Sequence, residues 1–280
     1  MSIDVMLVVL LSALLHASWN ALVRSSEDKF QSTLLVVCGA GALSLLLLPF
    51  LPAPALPSWP YLLASGLIHV VYFTLVALSY RHSELGFAYP LMRGTAPALA
   101  ALAALMVLGE SPSVGAWLGI VLICTGVLVL SGVAWRNGVL RPASVAFALG
   151  NACVIAAYTL IDGQGARLSG HALGYTAWVF LLTALFMLGL AAALRRRTVL
   201  KLGAQAWRTA VLGGLGTLAA YSLVLWAMTQ APIAAVAALR EMSIVFAALI
   251  GVLFLKEQMG RLRLTSVLLV CLGAVAIKLA

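Results

Sequence analysis

The stretch "YPLMRGTAPALAALAALMVLG", residues 89–109, is apolar throughout except for one arginine, Arg93, that lies well inside it. A helix of about 20 apolar residues crosses the hydrocarbon layer of a bilayer, so this stretch is long enough to span a membrane. A cation in the middle of such a span costs at least about 2.5–3.5 kcal/mol on insertion scales. We therefore expect Arg93 to face the protein interior or a water-filled cavity.

The rest of the chain has the same apolar character. Of its 280 residues, 64% are hydrophobic and 9% are charged, whereas a soluble domain is about 45–50% apolar and about 25% charged. This composition predicts an all-α integral membrane protein with ten transmembrane helices joined by short connections. The predicted spans are residues 3–23, 30–51, 59–80, 85–108, 113–133, 142–161, 172–194, 204–228, 232–255 and 262–280.

The positive charges fall on one side of the predicted topology. When the connections are assigned alternately to the two sides of the membrane, one side carries thirteen lysines and arginines and the other carries two. The positive-inside rule places the richer side in the cytoplasm, and both termini on the opposite, periplasmic side. The net charge of +9 is thus a topology signal, and we expect a lipid bilayer rather than nucleic acid as the surrounding partner.

The sequence repeats itself with a shift of 147 residues. Residues 85–130 align without a gap with residues 232–277, and 10 of the 46 pairs are identical. The informative identities are Arg93 with Arg240, Glu110 with Glu257, Cys124 with Cys271, and Gly126 with Gly273. The pattern predicts two repeats, residues 1–133 and 142–280. Because five is an odd number of crossings, the second repeat must be inverted in the membrane relative to the first, as in several secondary transporters.

Inversion brings the two arginines near the membrane midplane from opposite sides, each about 6 Å from it at 1.5 Å rise per residue. A guanidinium group offers a planar fork of donors that suits a carboxylate or a phosphate. Arg93 is therefore our candidate for binding an anionic group of a solute. The alternative is an internal clamp on helix carbonyls or on a carboxylate such as Glu241. For Arg240 both interpretations stay open, and we assign Arg240 and Glu241 to coupling or gating.

A few other polar side chains lie within predicted spans. His16 and Asn20 are one helical turn apart with Trp19 beside them, and His69 and Tyr72 share a helix face. Such residues are either substrate-binding groups or interhelical hydrogen-bonding partners. The candidate substrate-binding residues are Arg93, His16, Trp19, Asn20, His69, Tyr72, Tyr89 and Tyr158. Asp162, near the end of the sixth predicted span, is expected at the membrane interface.

The sequence gives no signature of catalysis or of a cofactor. It contains no phosphate-binding glycine loop, no HExxH or CxxC pattern and no nucleophilic serine motif. The four cysteines, Cys38, Cys124, Cys153 and Cys271, all fall within predicted helices and are interpreted as packing residues. We therefore expect neither an enzyme nor a metal or cofactor site, and the first span is not expected to be a cleaved signal peptide.

Several motifs resemble a known family. "LGE" at residues 108–110 and "LKE" at residues 255–257 end the fourth helix of each repeat, and the helices that follow contain "CTG" and "CLG". "HASWNALVR" and "YPLMRGTAP" add to the resemblance, which covers essentially the whole chain. The chain resembles EamA-type transporters of the drug/metabolite transporter superfamily. The resemblance implies a secondary carrier of amino acids or other small metabolites, working by alternating access in a bacterial inner membrane.

The sequence and the resemblance together give one hypothesis and two alternatives. The hypothesis is a gradient-driven carrier, an exporter by our prediction, for a small solute with an anionic group, such as an amino acid, an organic acid or a phosphonate. A histidine or a buried carboxylate could carry a coupling proton. One alternative is a drug or cation exporter that uses Glu241, and the other is a membrane scaffold that transports nothing. The sequence leaves the oligomeric state open, including a homodimer.

Overall fold

The computed structural model describes residues 1–24, 29–82, 85–130, 142–193, 204–256 and 259–280, and within these ranges the secondary structure is helical, without strands. The helices of the first repeat are α1 (Ile3–Arg24), α2 (Lys29–Leu47), α3 (Trp59–His82), α4 (Leu85–Ala103) and α5 (Val114–Val129). Two short 3-10 turns, Leu48–Phe50 and Leu56–Ser58, lie between α2 and α3, and a π-helical stretch, Ala104–Leu108, extends α4.

The second repeat contains two interrupted helices. Its elements are α6 (Pro142–Ser169), α7 (Ala172–Ala193), α8 (Ala204–Arg208 and Gly214–Gln230 on either side of the π-helical stretch Thr209–Gly213), α9 (Ile233–Leu239 and Ser243–Leu255 on either side of the 3-10 turn Arg240–Met242) and α10 (Arg261–Leu279). Nine of the described helical segments are long and apolar enough to cross a membrane, and α5 is a shorter apolar helix of 16 residues. The prediction of an all-α membrane protein with ten transmembrane helices is confirmed.

The two repeats pack as related units. α5 lies against α10, and α2 lies against α7, so each of these pairs joins equivalent helices of the two repeats. The remaining contacts also come in equivalent sets, because α1 packs on α8 and α9 while α6 packs on α3 and α4. This pattern is what two inverted five-helix repeats related by a pseudo-twofold axis produce.

Glycines let α5 and α10 approach closely at that axis. A Cβ atom on Gly119 would lie 2.6 Å from the backbone oxygen of Gly273. The positions equivalent to these two, Ser266 and Gly126, face each other in the same way, with the Ser266 backbone oxygen 3.0 Å from a Cβ built on Gly126. Without side chains at the contact, the two backbones pack directly, as small residues allow in membrane helices.

The ends of α4 and α9 also adopt equivalent conformations. Gly109 and Lys256 are separated by the repeat shift of 147 residues, and both have positive φ angles, 67° and 55°, in the left-handed region. This conformation ends a helix and is normally filled by glycine. The middle residues of the "LGE" and "LKE" motifs are thus the C-caps of corresponding helices.

Helix α6 is longer than predicted. The sequence-based span ends at residue 161, whereas the helix continues to Ser169 and ends at Gly170, whose φ angle is 74°. The segment includes Gly163 and Gly165, which the sequence suggested as the start of a loop, but both glycines are buried in the helix against Ile233 and Tyr175. Close packing, rather than a turn, explains these two glycines.

Arg167 and Glu110 join the repeats at the end of α6. The guanidinium of Arg167 donates to the carbonyl oxygens of Met228 and Ala231, at 2.8 and 3.0 Å, and to Glu110 at 2.6 Å. Glu110 in turn accepts the backbone N–H of Ile233 at 2.9 Å. The C-terminal carbonyls of α8 and the first N–H group of α9 thereby receive partners that the helices themselves cannot supply.

Candidate functional site

A small cavity lies between α4, α6, α8 and α9. Three charged residues contribute to its wall, and the other lining residues are small or apolar apart from one threonine. The lining consists of Arg93, Ala96, Pro97, Ala100, Ile155, Thr159, Met228, Ala237, Arg240 and Glu241. The two arginines predicted from the repeat therefore meet at one cavity, and both repeats contribute to it.

Arg93 and Glu241 form a buried ion pair across the two repeats. The Nη2 atom of Arg93 lies 2.8 Å from Oε1 of Glu241, and its Nε donates to Oε2 at 3.2 Å. The two side chains are only 5% and 4% exposed, so the pair is shielded from water, where the attraction between opposite charges is strongest. The carboxylate next to Arg240 in the chain thus pairs with the other arginine.

Arg240 has a different environment. Its guanidinium carbon lies 5.3 Å from the centre of the Tyr221 ring, a cation–π contact. The ion pairs found in the described ranges are Arg93 with Glu241 and Arg167 with Glu110, so Arg240 has no carboxylate partner there. The cavity wall consequently carries two cations and one anion.

Packing explains why the two repeats differ at this point. The residue equivalent to Glu241 in the first repeat is Gly94. A Cβ atom on Gly94 would lie 2.8 Å from Cγ of Leu128 in α5, so the close contact of α4 with α5 leaves no space for a carboxylate side chain. Arg240 therefore lacks the partner that Arg93 has.

Pro90 and Pro97 do not break helix α4. Both lie inside the helix, which continues without interruption through Ala103. The break near the cavity occurs instead in α9, where the 3-10 turn Arg240–Met242 carries both an arginine and the carboxylate. A change from α-helical to 3-10 geometry inside a membrane helix is tolerated where the backbone borders a cavity or protein.

Most of the predicted aromatic and histidine residues gather around the arginines. Tyr72, Tyr89 and Tyr158 lie close enough to Arg93 to interact with it electrostatically, and His16 is similarly close to both arginines. The rings of His69 and Tyr158 are 4.7 Å apart, and those of Tyr72 and Tyr158 are 5.5 Å apart.

Trp19 and Asn20 lie on α1 and interact differently. The Trp19 ring meets His16 edge-on at 5.3 Å, and its buried indole N–H has no hydrogen-bond partner in the described part of the chain. Asn20 donates to the backbone oxygen of His16, one turn earlier on the same helix. The substrate-binding role of all these residues stays a prediction.

Asp162, which the sequence predicts at the membrane interface, is fully buried within the protein, and α6 continues for two turns beyond the predicted end of the span. Its carboxylate accepts hydrogen bonds from the hydroxyl groups of Tyr175, at 3.1 Å, and Tyr221. The predicted span ended one residue before Asp162, so the sequence did not place this group among the candidate site residues.

The other lining residues gave little signal in the sequence. Thr159 follows the predicted Tyr158, but its hydroxyl donates to the Ile155 backbone oxygen of its own helix, which is common for threonine in membrane helices. Alanine and methionine occur throughout the apolar spans, so their type cannot identify a cavity wall.

The comparisons with known proteins agree with this architecture. The sequence profile of the EamA-like transporter family matches residues 4–132 and again residues 143–279. A solved crystal structure, whose description gives no function, is similar over 99% of this chain and 98% of its own, with a TM-score of 0.78 and 20% sequence identity, which shows the fold alone. None of the curated proteins compared with the chain matches it significantly. Two profile matches that together cover almost the whole chain show that it belongs to the EamA-like transporter family, within the drug/metabolite transporter superfamily.

Proposed function

We propose that this multi-pass membrane transporter carries a small metabolite with an anionic group, such as an amino acid, an organic acid or a phosphonate, across the bacterial inner membrane. Export is the direction that we predict, and alternating access of the two repeats is the mechanism. The observation that carries this proposal is the unbalanced charge of the cavity, where Arg93 and Arg240 face one carboxylate, Glu241.

The cavity charge favours an anion. Since Glu241 is engaged by Arg93, its charge is already compensated, and Arg240 is left as the cation available to a solute. A charge held at membrane depth is expensive, so residues of this kind usually serve a function. We therefore propose that the anion first contacts Arg240, although the sequence alone pointed to Arg93.

The other candidate residues lie outside the lining of the cavity, on α1, α3, α4 and α6. His16, Trp19, Asn20, His69, Tyr72, Tyr89 and Tyr158 are proposed to bind the solute on its path to and from the cavity.

The ion pair is proposed to couple the site to the motion of the repeats. Arg93 belongs to α4 and Glu241 to α9, which are equivalent helices of the two repeats. An anion that approaches Arg93 competes with Glu241 for the same guanidinium donors. Binding would thus weaken the link between the repeats and allow them to move relative to each other.

The test is counterflow in liposomes that contain the purified protein. The panel consists of labelled glutamate, succinate and methylphosphonate as anions, leucine as a zwitterion, and tetraphenylphosphonium as a cation. We expect counterflow of one or more carboxylate- or phosphonate-bearing solutes above that of protein-free liposomes. We also expect Arg240→Ala to reduce this flux at least about tenfold, the effect of losing roughly 1.4 kcal/mol of binding. The exposed Arg208 serves as a matched control, because Arg208→Ala leaves the cavity unchanged.

Two outcomes would contradict the proposal. Flux of tetraphenylphosphonium that survives Arg240→Ala but is lost in Glu241→Gln would show a cation exporter. Absence of flux for the whole panel, combined with a stable complex with another membrane protein, would show a scaffold.

A further inference from the structure

Asp162 is a buried carboxyl group that the proposed anion site does not use. It is fully shielded from solvent, and its two oxygens accept hydrogen bonds from Tyr175 and Tyr221. The hydroxyl of Ser65 and the ring of His69, both on α3, lie beside it. Side chains from α3, α7 and α8 thus converge on one carboxyl of α6.

None of these neighbours is a permanent cation. In the described residues, the titratable or hydrogen-bonding groups that face Asp162 are Ser65, His69, Tyr175 and Tyr221, and no lysine or arginine forms an ion pair with it. Neutral hydroxyl donors stabilise an ionised carboxylate, but an isolated charge in a membrane interior stays costly. The protonation state of a carboxyl group in this position therefore depends on the charges around it.

His69 contacts Ser65 in this network. Its Nδ1 lies 2.9 Å from the backbone oxygen of Ser65. The Ser65 hydroxyl, 3.2 Å from the same nitrogen, is next to both His69 and Asp162.

Tyr221 connects Asp162 to the cavity. Its hydroxyl donates to the Asp162 carboxylate, while its ring lies under the guanidinium of Arg240 at 5.3 Å. One side chain thus contacts both the buried carboxyl and the arginine to which we assign the anion. A change of charge at either position acts on the other over a short distance.

Asp162 offsets the net positive charge of the cavity wall when no anion is bound. Arg93 and Arg240 carry two positive charges, and Glu241 and Asp162 carry two negative ones when both are ionised and the histidines are neutral. An anion that binds at Arg240 compensates that cation itself, so an ionised Asp162 is then left as an uncompensated buried charge, which costs several kcal/mol. One proton on Asp162 restores the balance.

We propose that Asp162, assisted by Ser65 and His69, is a proton-binding site that takes up one proton when an anion binds at Arg240. This inference rests on the proposed function and names its coupling ion. Linkage makes the effect reciprocal, since a proton that raises anion affinity is itself bound more tightly when the anion is present. The anion and the proton then cross the membrane in the same direction, so in export the outward gradient of the solute drives both, and an inward proton gradient drives the reverse reaction.

The first test separates exchange from proton-driven movement in the liposomes described above. For the anion that shows counterflow, among glutamate, succinate and methylphosphonate, an acid-outside gradient of one pH unit drives uptake, and a trapped pH dye reports proton entry. For a solute with one net negative charge, transport with one proton is electroneutral and accumulates the solute about tenfold, because each tenfold ratio corresponds to about 1.4 kcal/mol. Asp162→Asn is expected to retain counterflow and to lose accumulation and proton entry.

The exposed Asp4 provides the control, since Asp4→Asn should behave as the wild type does. Accumulation by Asp162→Asn at the wild-type level would overturn the inference, and so would equal loss of counterflow and accumulation in a folded variant. If Asp162→Asn does not fold, the pH dependence of transport by Tyr221→Phe tests the inference instead. This variant removes one donor to the ionised carboxylate, so proton-driven accumulation should shift toward higher pH, and an unchanged pH profile would overturn the inference.

A second measurement does not depend on transport. Infrared difference spectra of the purified protein, recorded between about pH 5 and about pH 8, the range in which histidine and shifted carboxyl groups titrate, report the C=O stretch of a protonated carboxyl. We expect a titrating band that is absent from Asp162→Asn. If no anion shows counterflow but this band is present, the proposed function fails while the proton site stands, and absence of the band overturns the site itself.

Discussion

At the scale of single residues, the sequence identified the positions of the charged site and named Glu241 as one possible partner of Arg93. Arg93 and Arg240 were found because a cation is rare in an apolar span and because the repeat shift pairs them. The structure shows the pair of Arg93 with Glu241, which comes from the other repeat, more than one hundred residues away along the chain. Asp162 was not among the candidates because the predicted span ended one residue before it. Pairings between distant helices depend on packing, which residue type alone does not encode.

The ion pair gives a prediction for stability. In Glu241→Leu the buried Arg93 loses its partner, so the free energy of unfolding should fall by about 3–5 kcal/mol. Arg93→Met should cost less, because Arg240 lies close enough to Glu241 to act on it electrostatically. The double variant Arg93→Met/Glu241→Leu should approach the wild type, since a buried pair is often replaced by apolar residues at little cost. Equilibrium unfolding in mixed micelles measures all three, and additive losses in the double variant would contradict the pairing.

At the scale of helices, hydropathy predicted most elements well. The ends of α1, α7 and α10 lie within a few residues of the predicted ones. Two elements differ for physical reasons. α6 continues to Ser169 because its glycines pack against neighbouring side chains. α9 is interrupted at Arg240–Met242, although no proline at that position predicts an interruption. A local change of helix type depends on the cavity beside it, which is created by other helices.

The α5–α10 contact gives a prediction at this scale. Gly119→Ala places a methyl group 2.6 Å from the backbone oxygen of Gly273, where neither helix can yield easily. Overpacking of this kind should lower the free energy of unfolding by about 1–3 kcal/mol.

Gly150 on α6 is the matched control for this substitution. A Cβ atom there has no atom within 4 Å, so Gly150→Ala should be neutral or stabilise by up to about 1 kcal/mol. Thermal unfolding in detergent compares the two variants. Equal effects at Gly119 and Gly150 would mean that α5 and α10 do not pack directly.

At the scale of the whole molecule, the repeat decides the architecture. An alignment at a fixed shift predicted two inverted units, and the matching helix pairs and the equivalent caps Gly109 and Lys256 agree with it. The predicted boundary between residues 133 and 142 stays a prediction, because most of it lies outside the described residues. The oligomeric state, including a homodimer, was not predictable, since lipid-facing and partner-facing apolar surfaces have the same composition.

Topology gives the prediction at this scale. Ten crossings place both termini on one side, and by the positive-inside rule the thirteen-to-two distribution of cations predicts that this side is the periplasm. An impermeant thiol reagent added to intact spheroplasts should label Ser2→Cys and Ala280→Cys. Met259→Cys, in the connection between α9 and α10, should react only after permeabilisation. Labelling of Met259→Cys in intact spheroplasts, with protected termini, would reverse the assigned orientation.

The central claim is that Arg240 is the free cation of the cavity while Arg93 is occupied by Glu241. The most direct measurement is anion counterflow in Arg240→Ala beside the double variant Arg93→Met/Glu241→Leu, which removes the ion pair and keeps Arg240. The account predicts that Arg240→Ala loses at least about tenfold in flux and that the double variant still exchanges the anion. The claim would be contradicted if Arg240→Ala retained exchange while a stably folded double variant lost it. That result would show that Arg93 binds the anion.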